Sequence, residues 1–237
     1  MRCSGETSVP ARARQTGLHN PREIHVHDDQ PLDRADRVQS PREYVEVRFD
    51  DAPGERHDGV TFVRCDFRGL DLTEWATVGC RFDTCLFVNT NLSGSEHHGT
   101  AFTNCDFRGA NLAAARLAGC KMTGSDLTEV SFLGTLIEAG DWSYVNLRMV
   151  ELARADLAGV RFAEADLTGA NLRGANLRGC DLTRAGLRKA NLGDADLRGA
   201  EVAGADLDDV RLVGTKIGLS FALRLAESRG AEVDPAG

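Results

Sequence analysis

The side chains best suited to chemistry in this chain are its histidines, cysteines and carboxylates, and their spacing decides what each can do. His25 and His27 precede Asp28 and Asp29. Two imidazoles at alternate positions are only a fragment of a metal site, because no third ligand stands at a fitting distance. His97 and His98 are adjacent and face opposite ways on an extended chain. Acid–base catalysis at His97 would need a partner acid and a pocket, and the sequence offers neither. The seven cysteines contain no CxxC pair, so they form neither a disulfide framework nor a zinc site. No Ser/His/Asp set and no glycine-rich phosphate loop is present. These residue types predict no catalytic group, no metal and no cofactor.

The carboxylates are more informative. Asp66, Asp106, Asp126, Asp166 and Asp206 are separated by multiples of twenty residues, and twenty is four times a shorter period. Counting outwards from Leu172 in steps of five gives 32 consecutive pentads from Phe62 to Ile217, with no insertion. Thirty of their central residues are Leu, Phe, Ile, Val, Met or Trp, and the exceptions are Thr77 and His97. A helix wants apolar spacing near 3.6 and a strand a spacing of two. A period of five fits neither and marks a repeat architecture. Two positions before each centre stands a small residue, as at Cys65, Ala110, Ala155 and Ala205. Six of the seven cysteines occupy this position and read as buried, reduced thiols acting as small apolar groups. Asp or Asn usually follows the small residue, and Gly is common two positions after the centre, as at Gly69 and Gly109. The chain therefore turns a corner every five residues, with one large and one small side chain inside and three outside.

The signature A-(D/N)-L-x-x over residues 60 to 218 resembles the pentapeptide-repeat family. That resemblance implies an all-β fold, a right-handed quadrilateral β-helix with four pentads per coil, here about eight coils and roughly 38 Å long. Reading every twentieth residue supports four-pentad coils. One column runs Phe62, Phe82, Phe102, Met122, Trp142, Phe162, and Thr77 and His97 share another. Within the family, the segment Ser95-Glu96-His97-His98-Gly99-Thr100-Ala101-Phe102-Thr103-Asn104-Cys105-Asp106-Phe107 is similar to the mycobacterial fluoroquinolone-resistance members. So are Asp66-Phe67-Arg68, Asp71-Leu72 and the ending Leu212-Val213-Gly214 before a helix. The resemblance implies a dimeric, acidic rod that occupies DNA gyrase, or a related type II topoisomerase, in place of DNA and protects it from poisons.

Three segments follow from this pattern. Residues 1–58 form an extension, proline- and charge-rich to about residue 40, with a possible cap strand at 44–49. Residues 59–218 form the repeat, which contains no proline and predicts neither a proline kink nor a protruding loop nor an evident pocket. Residues 219–237 carry a short helix capped by Ser220 and stopped by Gly230. Its apolar stripe is Leu219, Ala222, Leu223 and Ala226, widened by Phe221 and Leu225. Phe221, Leu223 and Leu225 are the candidate dimer interface.

A net charge of −8 argues against direct nucleic-acid binding. No apolar run is long enough for a signal peptide or a membrane span, so a cytoplasmic protein is expected. The candidate partner-binding residues are Asp66, Asp106, Asp126, Asp166 and Asp206, with Arg68, Arg108, Arg148 and Arg188 on the same face. The expected function is a non-enzymatic DNA mimic acting on gyrase. The alternative is a passive protein-interaction scaffold with another partner.

Overall fold

The computed structural model of the protein describes residues 42–233. They form a parallel β-solenoid of about nine turns with one short carboxy-terminal helix. In chain order the strands are β1 (Glu43–Val45), β2 (Arg56–Asp58), β3 (Thr61–Val63), β4 (Ala76–Val78), β5 (Arg81–Asp83) and β6 (Glu96–His98). They continue with β7 (Ala101–Thr103), β8 (Arg116–Ala118), β9 (Leu136–Glu138), β10 (Asp196–Leu197) and β11 (Lys216–Ile217), before helix α1 (Leu219–Ser228). Sheets β1-β3-β5-β7, β2-β4-β6-β8-β9 and β10-β11 are all parallel. Isolated bridges such as Asp106↔Asp126 and Asn171↔Asn191 carry the same register of twenty along the remaining walls.

Each corner is made locally. In the first pentads of one wall, Leu70 N–H donates to Phe67 C=O at 3.2 Å across a tight turn. Its third residue, Gly69, has φ 69°. Glu74, Asn89 and Arg154 take the same left-handed conformation without being glycine, at φ 59°, 56° and 61°. The Asp or Asn before the centre relieves that cost by accepting the N–H two residues on, an Asx turn. Asn91 does so for Ser93 and Asn111 for Ala113.

Inside, like stacks on like. Phe62 and Phe82 are parallel with centroids 4.6 Å apart, and Phe82 and Phe102 follow at 4.8 Å. Phe67, Phe87 and Phe107 repeat this at 4.8 and 4.7 Å. These distances are the spacing of hydrogen-bonded strands, about 4.8 Å, so ladder and ring stack reinforce one another. The columns extend one turn further towards the amino terminus than the period of five indicates. Tyr44 stacks on Phe62 at 5.1 Å, Phe49 on Phe67 at 4.8 Å, and His57 pairs in register with Thr77. The 44–49 segment thus builds a wall of a further coil, which is why the solenoid has about nine turns rather than eight. That coil is two residues short, since Tyr44 pairs with Phe62 and not with a residue twenty away. The shortening falls in residues 50–55, around Pro53.

At the other end, α1 begins from Gly218, with no side-chain cap, so Ser220 is not the N-cap. Gly230, at φ 81°, ends the helix. Ala231 N–H bonds Ala226 C=O, and Gly230 N–H bonds Glu227 C=O. This double bond pattern is a Schellman stop. The face turned to the solenoid is Phe221, fully buried, with Leu225 packed behind it, whereas Leu219 is 76% exposed. The open last coil selects the bulkiest side chain as its plug, and so overrides the stripe through Leu219. Among the described residues no helix is long and apolar enough to cross a membrane.

Among the described residues the stacking is interrupted at one coil interface. Residues 130–137 and 151–156 line a cleft of about 500 Å³ where two consecutive coils separate. The unbroken pentad pattern predicts no such opening.

Thr77 and His97 are buried with hydrogen-bonded partners. Thr77 Oγ1 lies 2.7 Å from His97 Nδ1 and 2.9 Å from Thr100 Oγ1, and His97 Nε2 lies 3.1 Å from Ser95 Oγ. The small Thr77 is balanced by Trp75, which fills the neighbouring inward position that is small in other pentads. Burial lowers the His97 pKa to about 3, with the His98 charge adding to it, so the folded ring stays neutral. The unfolded chain binds a proton on this histidine below about pH 6.5 while the fold refuses it until about pH 3. The contribution is therefore complete above pH 6.5 and is lost as pH falls through that window, at about 1.4 kcal/mol per pH unit. Denaturation at pH 7.5 and 5 should show His97→Leu losing less stability on acidification than the parent chain.

Candidate partner-binding face

One wall carries the carboxylates singled out above. Its ladder runs Arg48, Asp66, Leu86, Asp106, Asp126, Asn146, Asp166, Gly186, Asp206. All five aspartates therefore share a face, but only Asp106 and Asp126 occupy successive rungs. Leu86, Asn146 and Gly186 dilute the row. Glu129, Asp208 and Asp209 flank it.

Every aspartate of the row is tied first to its own corner. Asp66 accepts the Arg68 N–H at 3.1 Å, Asp106 that of Arg108 at 3.1 Å and Asp126 that of Thr128 at 3.0 Å. Asp166 accepts from Thr168 at 2.9 Å and Asp206 from Asp208 at 3.1 Å. Four of the five also meet an arginine. Arg68 and Arg108 fold back on Asp66 and Asp106 at 2.7 and 2.6 Å, while Arg148 and Arg188 reach one coil onward to Asp166 and Asp206 at 3.0 and 3.1 Å. Asp126 bonds Thr128 Oγ1 at 2.8 Å instead. The Arg68 and Arg108 guanidiniums hold the Asp66 and Asp106 carboxyls below the usual carboxylate range. At Asp166 partial burial acts upwards, but Thr168 and Arg148 together outweigh it and the net shift is downwards.

The wall keeps a net negative balance in spite of these pairs. Over residues 65–209 it bears eight carboxylates against Arg68, Arg108, Arg148, Arg188 and Lys189, whereas each of the other three walls of the repeat balances to within one charge. Beside the carboxy-terminal half of the row, Arg148, Arg188, Lys189 and Arg211 line a shallow groove, and the excess of carboxylates is concentrated at residues 125–129 and 205–209.

The other candidates are placed as follows. His25, His27, Asp28, Asp29 and Cys3 lie outside the described residues. Six cysteines are buried and unpaired. Burial raises the Cys120 and Cys180 thiols to about 11 and 12, and the hydrogen bond with Cys105 raises Cys85 to about 12. Such thiols are not nucleophiles at neutral pH. Among the described residues no group of three or more His, Cys, Asp or Glu is placed to hold a metal. In the helix, Leu223 and Leu225 are half-buried and Phe221 is wholly inside its own chain. The period of five did not reveal the cleft beside Leu152. Its only signals are oversized residues at Phe132 and Trp142 and a glycine at the inward position 140.

These features define a class, a β-solenoid whose polar chemistry lies on its outer walls. The chain belongs to the pentapeptide-repeat family: the family described as pentapeptide repeats (8 copies) matches residues 85–124, 105–135, 146–184 and 175–214. No curated protein matches the sequence. Among solved structures it is similar to a trypsin-treated variant of QnrB1, a plasmid-mediated fluoroquinolone resistance protein. The TM-score is 0.67 at 28% identity, over 76% of this chain and 90% of that one. A second trypsin-treated QnrB1 variant matches over the same shares with TM-score 0.66 and 27% identity.

Because each row aspartate closes its corner, charge and fold are separable by amide substitution. Asp106→Asn should leave thermal stability nearly unchanged, while Asp106→Ala removes the acceptor of the Arg108 N–H and should cost about 1 kcal/mol, measured by thermal denaturation.

Proposed function

We propose that this protein is a non-enzymatic DNA mimic that binds DNA gyrase, or a related type II topoisomerase, and protects it from inhibitors. The observation that carries the reading is the one wall of the solenoid with a marked excess of carboxylates over basic groups. Nine stacked coils at about 4.8 Å give a length near 43 Å. Its rungs follow one another at about 4.8 Å, against one phosphate per roughly 3.4 Å on each strand of a duplex. Asp66, Asp106, Asp126, Asp166 and Asp206 would meet the basic surface that otherwise holds DNA, and the interaction would weaken as salt rises. The likeness to a fluoroquinolone resistance protein supports the same partner. In this reading the protein works as a homodimer joined at its carboxy-terminal end, in the cytoplasm where gyrase acts. Val213 and Leu219, 84% and 76% exposed, join the half-buried Leu223 and Leu225 there. Phe221 serves that interface only from behind, as the plug of its own coil.

A second reading is favoured by the arginine pairs. Four of the five row carboxylates are already neutralised within the chain, which suits a scaffold docking some other protein through a flat, weakly charged wall.

Gyrase supercoiling and fluoroquinolone-stabilised DNA cleavage, measured with and without the protein at two salt concentrations, distinguish the two. The DNA-mimic reading expects loss of cleaved complexes at low salt and a weaker effect at high salt. Asp106→Asn with Asp126→Asn should reduce that protection at least about tenfold in effective concentration, since these are the only consecutive acidic rungs. No effect on gyrase at a large excess of folded protein would leave the scaffold reading.

A further inference from the structure

The cleft divides the backbone ladder along two walls and leaves it whole along the other two. Each wall normally contributes three main-chain hydrogen bonds per coil interface. One turn earlier these are Leu112 N–H to Ser131 C=O at 2.9 Å, Ala114 N–H to Leu133 C=O at 2.8 Å and Ser131 N–H to Ala110 C=O at 3.1 Å. Between residues 130–139 and 150–159 the six corresponding bonds are all missing. Among the described residues, the amides of Phe132, Gly134, Ile137, Ala139, Glu151 and Asp156 have no main-chain acceptor. At the same level the opposite walls are closed. Trp142 N–H bonds Arg161 C=O at 2.7 Å, Tyr144 bonds Ala163 at 3.0 Å, Leu147 bonds Asp166 at 2.8 Å and Met149 bonds Thr168 at 3.0 Å.

The covalent path explains the lapse. Ala139 and Gly140 have φ 55° and 115°, two consecutive positive values where every other corner from residue 59 to 214 has one. A side chain at Gly140 would run into the Cys120 carbonyl, so this corner admits glycine alone. The interior adds to it. Phe132 and Trp142 lie 6.3 Å apart in one coil, where the neighbours of Phe132 in its column are Leu112 and Leu152. Two oversized rings at one level push adjacent coils apart, as overpacking does.

We infer that this interface is a hinge: two stacked blocks, residues 42–139 and 150–233, tilt about the two intact walls through residues 141–149 and so open and close the cleft. Few interactions oppose that motion on the open side, because the amides there already lack main-chain partners. The consequence for function rests on the gyrase reading. The acidic row crosses the hinge along an intact wall, through Asp126↔Asn146↔Asp166. Asp66, Asp106 and Asp126 therefore ride on one block and Asp166 and Asp206 on the other. Tilting changes the curvature of the row without separating its rungs, which lets the solenoid adjust to the shape of a basic partner surface.

Hydrogen exchange resolved by residue, on the unaltered chain, is the first test. The amides of Phe132, Ile137, Glu151 and Asp156 should exchange about 100-fold faster than Leu112, Leu117, Asn171 and Asn176 in the same columns. Equal protection overturns the hinge. The motion itself is tested by Leu133→Cys with Ala153→Cys in a Cys3→Ser background, one coil apart across the cleft. Ala113→Cys with Leu133→Cys across the preceding intact interface is the control. A hinge expects the cleft pair to cross-link more slowly than the control yet to completion; a cleft pair that never cross-links while the control does overturns it. Oxidised and reduced forms are then compared for gyrase protection. Protection lost on oxidation and restored on reduction supports the curvature role. Unchanged protection overturns that role and leaves the hinge, and no gyrase effect in either form overturns the partner reading while the hinge is judged by exchange and cross-linking alone.

Discussion

The rest of this structure depends on the parallel main-chain ladder between successive coils, which sets an axial repeat of about 4.8 Å. The contacts between coils fit that distance. The phenylalanine columns stack at 4.6 to 4.8 Å because the strands beneath them do. The Asn91–Asn111 side-chain bond at 3.0 Å runs parallel to the backbone rungs for the same reason. Outside the shortened first coil and the cleft, the inward residues stack on their twentieth neighbours, so a change in one of them is felt first along a column. Where the ladder lapses, between 130–139 and 150–159, the solenoid is open.

The same constraint gives the acidic surface two tasks. An aspartate before the centre of a pentad closes a corner with one oxygen and presents its charge with what remains. Its frequency is thus a property of the fold, and a row of aspartates is not in itself a binding site. What singles out one wall is the balance of charge on it, after its arginines are counted. The rungs at Asp106 and Asp126 differ from the rest because they are consecutive and only one of them has an arginine partner.

The interior shows how much departure the ladder tolerates. His57, Thr77 and His97 occupy a column that holds Leu117 and Ile137 further along, and the solenoid continues through them. Size is restored by Trp75, and the polar atoms of Thr77 and His97 are matched with Thr100 and Ser95. Among the described residues, Trp142 Nε1 beside the cleft, His57 Nε2 in the first coil, Trp75 Nε1 and Arg224 Nε are buried without a partner.

The period of five determined the corners and the inward residues, because both follow from local turn geometry repeated without insertion. The four-walled coil, and with it the wall to which each carboxylate belongs, is what the family resemblance implies, and the like residues at every twentieth position agree with it. The same period carried the resemblance to the family. It did not reveal the extra coil through Tyr44, Phe49 and His57, whose shortened spacing hides it from a strict count. Nor did it show which helix residue faces the core, since Phe221 is chosen by the shape of the open last coil. The cleft depends on how two oversized rings and one glycine corner act across a coil interface. The pairing of Arg148 with Asp166 depends on a side chain reaching its neighbour one coil onward. Local geometry is written in neighbouring residues; what happens between coils is decided by volume and reach in three dimensions, and only the tertiary structure decides it.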